Sequence, residues 1–267
     1  MMKRFFVIAL FVLGLGQLYA QPVRDTAWTK AGYFGLKLTQ VSLSSWSAGG
    51  ESALAFDSQI TYSADFKRDR QLWQNRLELG YGLTKNDGKS ARKTNDKIYF
   101  ASTYGYQIYK TLYWSALLNF NTQFAKGYDY NIEDSDFISK FMAPGYLMIG
   151  TGVTWSPNKI FTATFTPASW RGTIVADSRL SDEGAFGVDK GKHLLSEFGA
   201  NLKAEVNYEF LPNMKVYSRL ELYSNYLKDP QNIDIRWEVQ LNMAINKWFS
   251  TTLSTNLLYD NDVKIAQ

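Results

Sequence analysis

The chain has 267 residues, of which 45% are hydrophobic and 16% aromatic, with 17 Tyr, 8 Trp and no cysteine. Without cysteine there is no disulfide framework, no thiolate nucleophile and no thiolate metal ligand. The formal charge of +4 falls to +2 once Lys3 and Arg4, which lie in a leader-like segment, are set aside; that is too weak to indicate a nucleic-acid partner.

The N-terminus reads as an export signal over residues 1–20. Lys3 and Arg4 precede an unbroken apolar or glycine run, Phe5–Leu15, and Gln17-Leu18-Tyr19-Ala20 puts a small residue ahead of a cut before Gln21. The run is too short to cross a bilayer as a helix and fits the hydrophobic part of a signal peptide. Residues 21–31 then form a short periplasmic lead-in, and residues 32–267 one β-barrel domain.

From there the chain repeats a single pattern, alternation. Phe34–Leu43 carries a weak version. In Leu54–Phe66, Leu, Phe, Ser, Ile, Tyr, Ala and Phe alternate with Ala, Asp, Gln, Thr, Ser and Asp. Weaker versions follow at Gln71–Leu83, Lys97–Tyr109, Leu112–Phe124, Gly145–Trp155 and Ile160–Thr166. Leu194–Phe210 is the clearest case. Its even positions carry no charge, while the odd ones read Leu, Glu, Gly, Asn, Lys, Glu, Asn, Glu. Val216–Tyr226, Ile233–Ile245 and Phe249–Tyr259 complete the set. A period of two separates the two faces of a strand. Several of the eleven segments reach the 9–11 residues that a tilted membrane-crossing strand needs. None shows a helical period.

The connections alternate in length. Lys67–Arg70, Lys110–Thr111, Ser156–Lys159, Leu211–Asn213 and Asn246–Trp248 are short. Ser44–Ala53, Thr84–Asp96, Ala125–Pro144, Pro167–His193 and Leu227–Asn232 are longer or more polar. Short turns at one end and long loops at the other are the pattern of an outer-membrane barrel, with the turns periplasmic. A soluble β-sandwich or small soluble barrel is the competing reading. Its apolar face is a core, and it has no room for several inward charges per strand. The fold expected is therefore an all-β, antiparallel, up-and-down transmembrane barrel. Such barrels have an even strand count, and eleven segments with no terminal aromatic strand lead us to expect a twelve-stranded parent (ten being the alternative). The first and last segments should then lack each other as partners.

No catalytic set is legible. His193 is the single histidine, and Ser196, three residues on, faces the other way on a strand, so no His–Ser pair forms. Asp129, Glu133, Asp134 and Asp136 are dense enough to hold calcium, but their spacing matches no EF-hand, and a solvated acidic loop is the simpler account. Gly49-Gly50 and Gly184-Ala-Phe-Gly-Val188 read as turn glycine, since no P-loop lysine–serine pair accompanies them. We expect no enzyme and no cofactor.

The signal that remains is charge on one face of three consecutive strands: Glu197, Lys203, Glu205, Glu209, Lys215, Arg219, Glu221, Asp234, Arg236 and Glu238. A three-residue hairpin at Leu211-Pro212-Asn213 would set Phe210 opposite Met214, Glu209 opposite Lys215, Glu205 opposite Arg219 and Lys203 opposite Glu221. Carried to the next strand, it sets Arg219 opposite Glu238 and Glu221 opposite Arg236. Two ladders of alternating charge result, Glu205–Arg219–Glu238 and Lys203–Glu221–Arg236. Opposite-charge pairs contribute about 0.2–1 kcal/mol each, and a slip by two would oppose like charges. Such ladders narrow a pore and leave it nearly neutral.

Several phrases resemble one family: Gln40-Val-Ser-Leu with Ser45-Trp-Ser-Ala-Gly-Gly50, Trp73-Gln-Asn-Arg-Leu with Gly80-Tyr-Gly82, Gln123-Phe-Ala-Lys-Gly-Tyr-Asp-Tyr130, Ser139-Lys-Phe-Met-Ala-Pro-Gly145, Gly184-Ala-Phe-Gly-Val188 and Leu257-Leu-Tyr-Asp260. They resemble the outer-membrane β-barrel proteins of Bacteroidota known only as a domain of unknown function. The resemblance implies an outer-membrane location and no established activity. The expectation carried forward is a narrow or occluded channel or transporter for small solutes. A structural or interaction barrel, serving an envelope complex through its long outer loops, is the rival. The partners expected are the bilayer with its lipopolysaccharide and an envelope protein, not nucleic acid.

Overall fold

The structure, a computed structural model, describes residues 27–43, 50–132, 136–244 and 249–259. The expected signal segment, Glu133, Asp134 and the turn at Asn246–Trp248 lie outside the described residues.

Eleven strands form one antiparallel sheet in chain order. They are β1 (Trp28–Val41), β2 (Ala53–Arg68), β3 (Gln71–Asn86), β4 (Arg92–Tyr109), β5 (Leu112–Thr122), β8 (Gly145–Trp155), β9 (Phe161–Ile174), β10 (Leu194–Leu211), β11 (Met214–Asn225), β12 (Ile233–Ala244) and β13 (Ser250–Tyr259). Each corresponds to one alternating segment of the sequence. The short β6 (Gly127–Tyr128) and β7 (Phe137–Ser139) pair within the β5–β8 loop, and a six-residue helix α1 (Ser178–Glu183) sits in the β9–β10 loop. β1 and β13 are the two ends of the sheet, and among the described residues no pairing joins them. No described helix is long and apolar enough to cross a membrane.

Three boundaries differ most from the sequence reading. Residues 28–31, read as lead-in, already belong to β1 and pair with Phe66, Asp65, Ala64 and Ser63. Lys30 on the apolar face had hidden them. β4 begins at Arg92 instead of Lys97. β9 continues past Thr166 to Ile174, because Pro167 does not end the strand but sits in a bulge. A proline has no N–H to give to a ladder and is tolerated where pairing is already broken. The bulge also exchanges the faces: Thr162, Thr164 and Thr166 share a side with Ser169, Arg171 and Thr173, so even numbers give way to odd. Gly152 lies against the bulge, and a Cβ there would come within 2.0 Å of the Phe165 carbonyl oxygen.

The face carrying charge is concave. The Arg171 Nη1 on β9 lies 3.0 Å from Asp234 Oδ2 on β12, although β10 and β11 intervene. Three strand steps are about 14 Å on a flat sheet, so the sheet must curl toward that side. Tyr99 on β4 interacts electrostatically with Arg219 and Glu221 on β11, five steps away. Burial is correspondingly inverted. On the concave side Thr166 and Ser169 are 0% exposed, while on the convex side Ile149 and Trp237 are both 46% exposed. Among the described residues, the apolar cluster of buried side chains, Ala143, Val175, Leu180 and Val188, lies in the long loops and not between strands.

Candidate functional site

The charged wall is built by β9 to β12, and its register is the one the charges specify. Lys203 faces Glu221, Glu205 faces Arg219 and Glu209 faces Lys215. On the next strand Arg219 faces Glu238 and Glu221 faces Arg236.

The turn differs by one residue. Leu211, not Phe210, pairs with Met214, and an irregularity after Glu209 restores the register further up the hairpin. Asn213 takes φ 65° and its N–H donates to Glu209 Oε1 at 3.1 Å. Asparagine tolerates this left-handed geometry, which makes the tighter turn accessible.

Opposed backbones do not oblige side chains to pair straight across. Arg219 Nη2 reaches Glu238 Oε2 at 2.7 Å, and Arg236 Nη1 lies 3.8 Å from Glu221. Lys203, however, turns along its own strand to Glu205 at 3.2 Å, and the Tyr217 hydroxyl donates to Glu205 Oε1 at 3.1 Å. Each ladder is thus closed on the β11–β12 side and diverted on the β10 side. The six residues carry three charges of each sign, so this stretch of wall is neutral. The Arg219 Nε is buried and has no hydrogen-bond partner.

Sequence reading missed the tightest part of the wall. Arg171 grips Glu197 with two bonds of 2.7 Å and touches Asp234 with a third at 3.0 Å. Its guanidinium also stacks over the Tyr223 ring at 4.0 Å. Glu197 is 5% exposed and accepts a further bond from Asn225 Nδ2 at 3.1 Å. This hub knits four strands. The signal that could have found it was present, because Ser169, Arg171 and Thr173 alternate with Trp170, Gly172 and Ile174. A second ionic group on the facing wall joins Glu78 on β3 to Arg76 and to Lys97 on β4, each at 2.5 Å.

At the long-loop end, side chains tie the first four long loops in series. Glu51 accepts from Lys89 and Asn86, both at 2.8 Å, and these bonds, the Lys89 one foremost, hold its carboxyl below the usual range. Lys93 donates to Ala125 O, and its own N–H to the Tyr130 hydroxyl. Lys140 pairs with Asp177, the N-cap of α1, which also accepts the Leu180 N–H at 3.0 Å. The Lys140 bond, then the Leu180 N–H, lower the Asp177 pKa. Arg179 bonds to the Phe137 carbonyl and sits over that ring at 4.5 Å.

The remaining sequence candidates fall outside these groups. Asp129 accepts the Asn131 N–H at 3.0 Å as a local turn, Asp136 borders β7, and no group of three metal-ligating side chains occurs among the described residues. His193 Nδ1 sits 2.7 Å from Val175 O. Ser196 lies on the opposite face, accepting from Trp170 Nε1 at 2.7 Å. Gly50, Gly184 and Gly187 have φ of 122°, 75° and 83°, as turn glycines should.

Two family models match parts of the chain, both described as proteins of unknown function. The DUF3078 model matches residues 38–128, from β1 into β6. The DUF481 model matches residues 170–266, which include the Arg171 hub and the charged wall. No curated protein matches the chain.

Proposed function

We propose that this chain is an outer-membrane β-barrel whose concave wall forms a narrow, nearly neutral path for small solutes. The observation that carries the reading is the inverted burial. Threonine, serine and ion pairs are enclosed while leucine, isoleucine and tryptophan stand exposed, which suits lipid outside and water within. Aromatic side chains gather near both ends of the convex face. Trp28 packs on Phe66 and Trp73, and Trp155 on Phe161, near the short turns, while Phe198 packs on Tyr226 near the loops. Phe198 and Tyr208 on β10, like Phe56 and Phe66 on β2, are ten residues apart, about 33 Å along a strand. At a tilt of roughly 40° that is about 25 Å, the height of a barrel's apolar band. Two indole N–H groups on the convex face find partners on that face: Trp73 Nε1 donates to Ser102 and Trp237 Nε1 to Ser218.

In this reading the protein sits in a bacterial outer membrane among lipopolysaccharide and belongs with the Bacteroidota barrels that its sequence resembles. It carries no catalytic role. Planar-bilayer recording of the purified protein tests the channel. Steady single-channel steps support it, and silence from folded protein refutes it. The interlocked outer loops favour a second reading, an interaction barrel holding an envelope protein, for which silence with a co-purifying partner is the expected result.

A further inference from the structure

We propose that the concave wall at β4, β5 and β8 holds a binding site for a neutral polyhydroxylated solute, a mono- or disaccharide. This rests on the channel reading in taking that wall as solute-facing. A cavity of about 350 Å³ is lined there by Asn95, Lys97, Asn121, Gln123, Pro144 and Tyr146, with Asp96 and Thr122 behind them. That volume is at the small end of ligand sites.

The charges of this wall are spent internally. Asp96 pairs with Lys93 and accepts the Phe124 and Ala125 N–H groups at 2.7 and 3.0 Å. Lys97 is held by Glu78. Thr122 accepts the Met142 N–H at 3.0 Å and donates to Pro144 O at 2.9 Å. What the cavity offers is therefore amide chemistry. The Gln123 amide nitrogen is buried there without a hydrogen-bond partner in the protein, which leaves its desolvation uncompensated by any protein group. The Asn121 side chain is exposed beside it. An amide both donates and accepts, as does each hydroxyl of a sugar, and the Tyr146 ring supplies a flat apolar surface for the sugar's C–H face. An ionic solute would find no unpaired charge to meet it.

The test titrates detergent-folded protein with maltose and with glucose, with glucose 6-phosphate and a blocked neutral dipeptide as controls, reading contact by saturation-transfer NMR. Saturable binding of a sugar, at least fivefold tighter than of either control, is expected. Asn121→Ala and Gln123→Ala should each weaken it fivefold or more, while Gln240→Ala, on β12 away from the cavity, should change it less than twofold. If Gln123→Ala disturbs the heat-modifiable gel shift of the folded barrel, Asn121→Ala carries the test. Absence of sugar binding, preference for either control, or equal loss with Gln240→Ala overturns the assignment. Bilayer recording separates the two claims. Conductance indifferent to maltose removes the site and keeps the channel, whereas sugar binding without conductance keeps the site and removes the channel.

Discussion

Replacing Arg171 by alanine should be the most damaging single change on the concave wall. It deletes three charge-assisted bonds of 2.7, 2.7 and 3.0 Å and a ring contact at 4.0 Å. It strands the Glu197 carboxylate at 5% exposure, with the Asn225 Nδ2 bond still in place. Breaking a buried pair costs about 3–5 kcal/mol, chiefly the penalty of the stranded charge. The Asp234 side chain is 20% exposed and is partly screened by solvent, which puts the expected loss near the lower end, about 3 kcal/mol. Replacing the hub by neutral groups of similar shape, Arg171→Met with Glu197→Gln and Asp234→Asn, should recover most of it, to within about 1 kcal/mol of the parent. Urea unfolding in phospholipid vesicles, followed by tryptophan fluorescence, gives both values. A loss below about 1 kcal/mol for Arg171→Ala, or no recovery in the triple variant, refutes the claim that a buried, mutually compensated charge hub knits β9 to β12.

Val239 lies mid-strand on the convex side of β12 and Gln240 on the concave side. Val239→Arg should cost roughly 2–4 kcal/mol and Gln240→Arg much less; equal effects on the folded gel shift count against lipid contact. Gly152→Ala drives a Cβ to 2.0 Å from a backbone oxygen and should destabilise by about 1–3 kcal/mol, measured in the same unfolding experiment. Because Lys140 and the Leu180 N–H depress the Asp177 pKa, the order they confer is present above its ordinary value of 3.8 and lost as pH falls below it. Hydrogen-exchange protection factors over residues 177–184, corrected for the intrinsic rate at each pH, should therefore be equal at pH 5 and 7 and lower below about pH 4, and Asp177→Asn should flatten that change.

The strands were legible because a surface wet on one side and apolar on the other forces a period of two, and the β10–β12 register was legible because slipping it opposes like charges. Legibility stopped where the backbone broke its own period. At Pro167 the bulge moves the concave set from Thr162, Thr164 and Thr166 to Ser169, Arg171 and Thr173, so Arg171 appeared to lie in a loop. Side-chain choice was a second limit. Lys203 has equally good reach to Glu205 on its own strand and to Glu221 across it, and register does not decide between them. The cavity was invisible for a third reason: Asn95, Asn121 and Tyr146 come from three strands and meet only once the pairing of β4, β5 and β8 is set.

The first four long loops act as a strap. Glu51 fastens the first loop to the second, Lys93 and Arg92 fasten the second to the third through Ala125 and Tyr130, and Lys140 and Arg179 fasten the third to the fourth. Force applied to one of them is therefore shared along the rim instead of opening a local gap. A single nick should loosen more of this rim than the loop it cuts, and a molecule gripping any one of these four loops pulls on the other three.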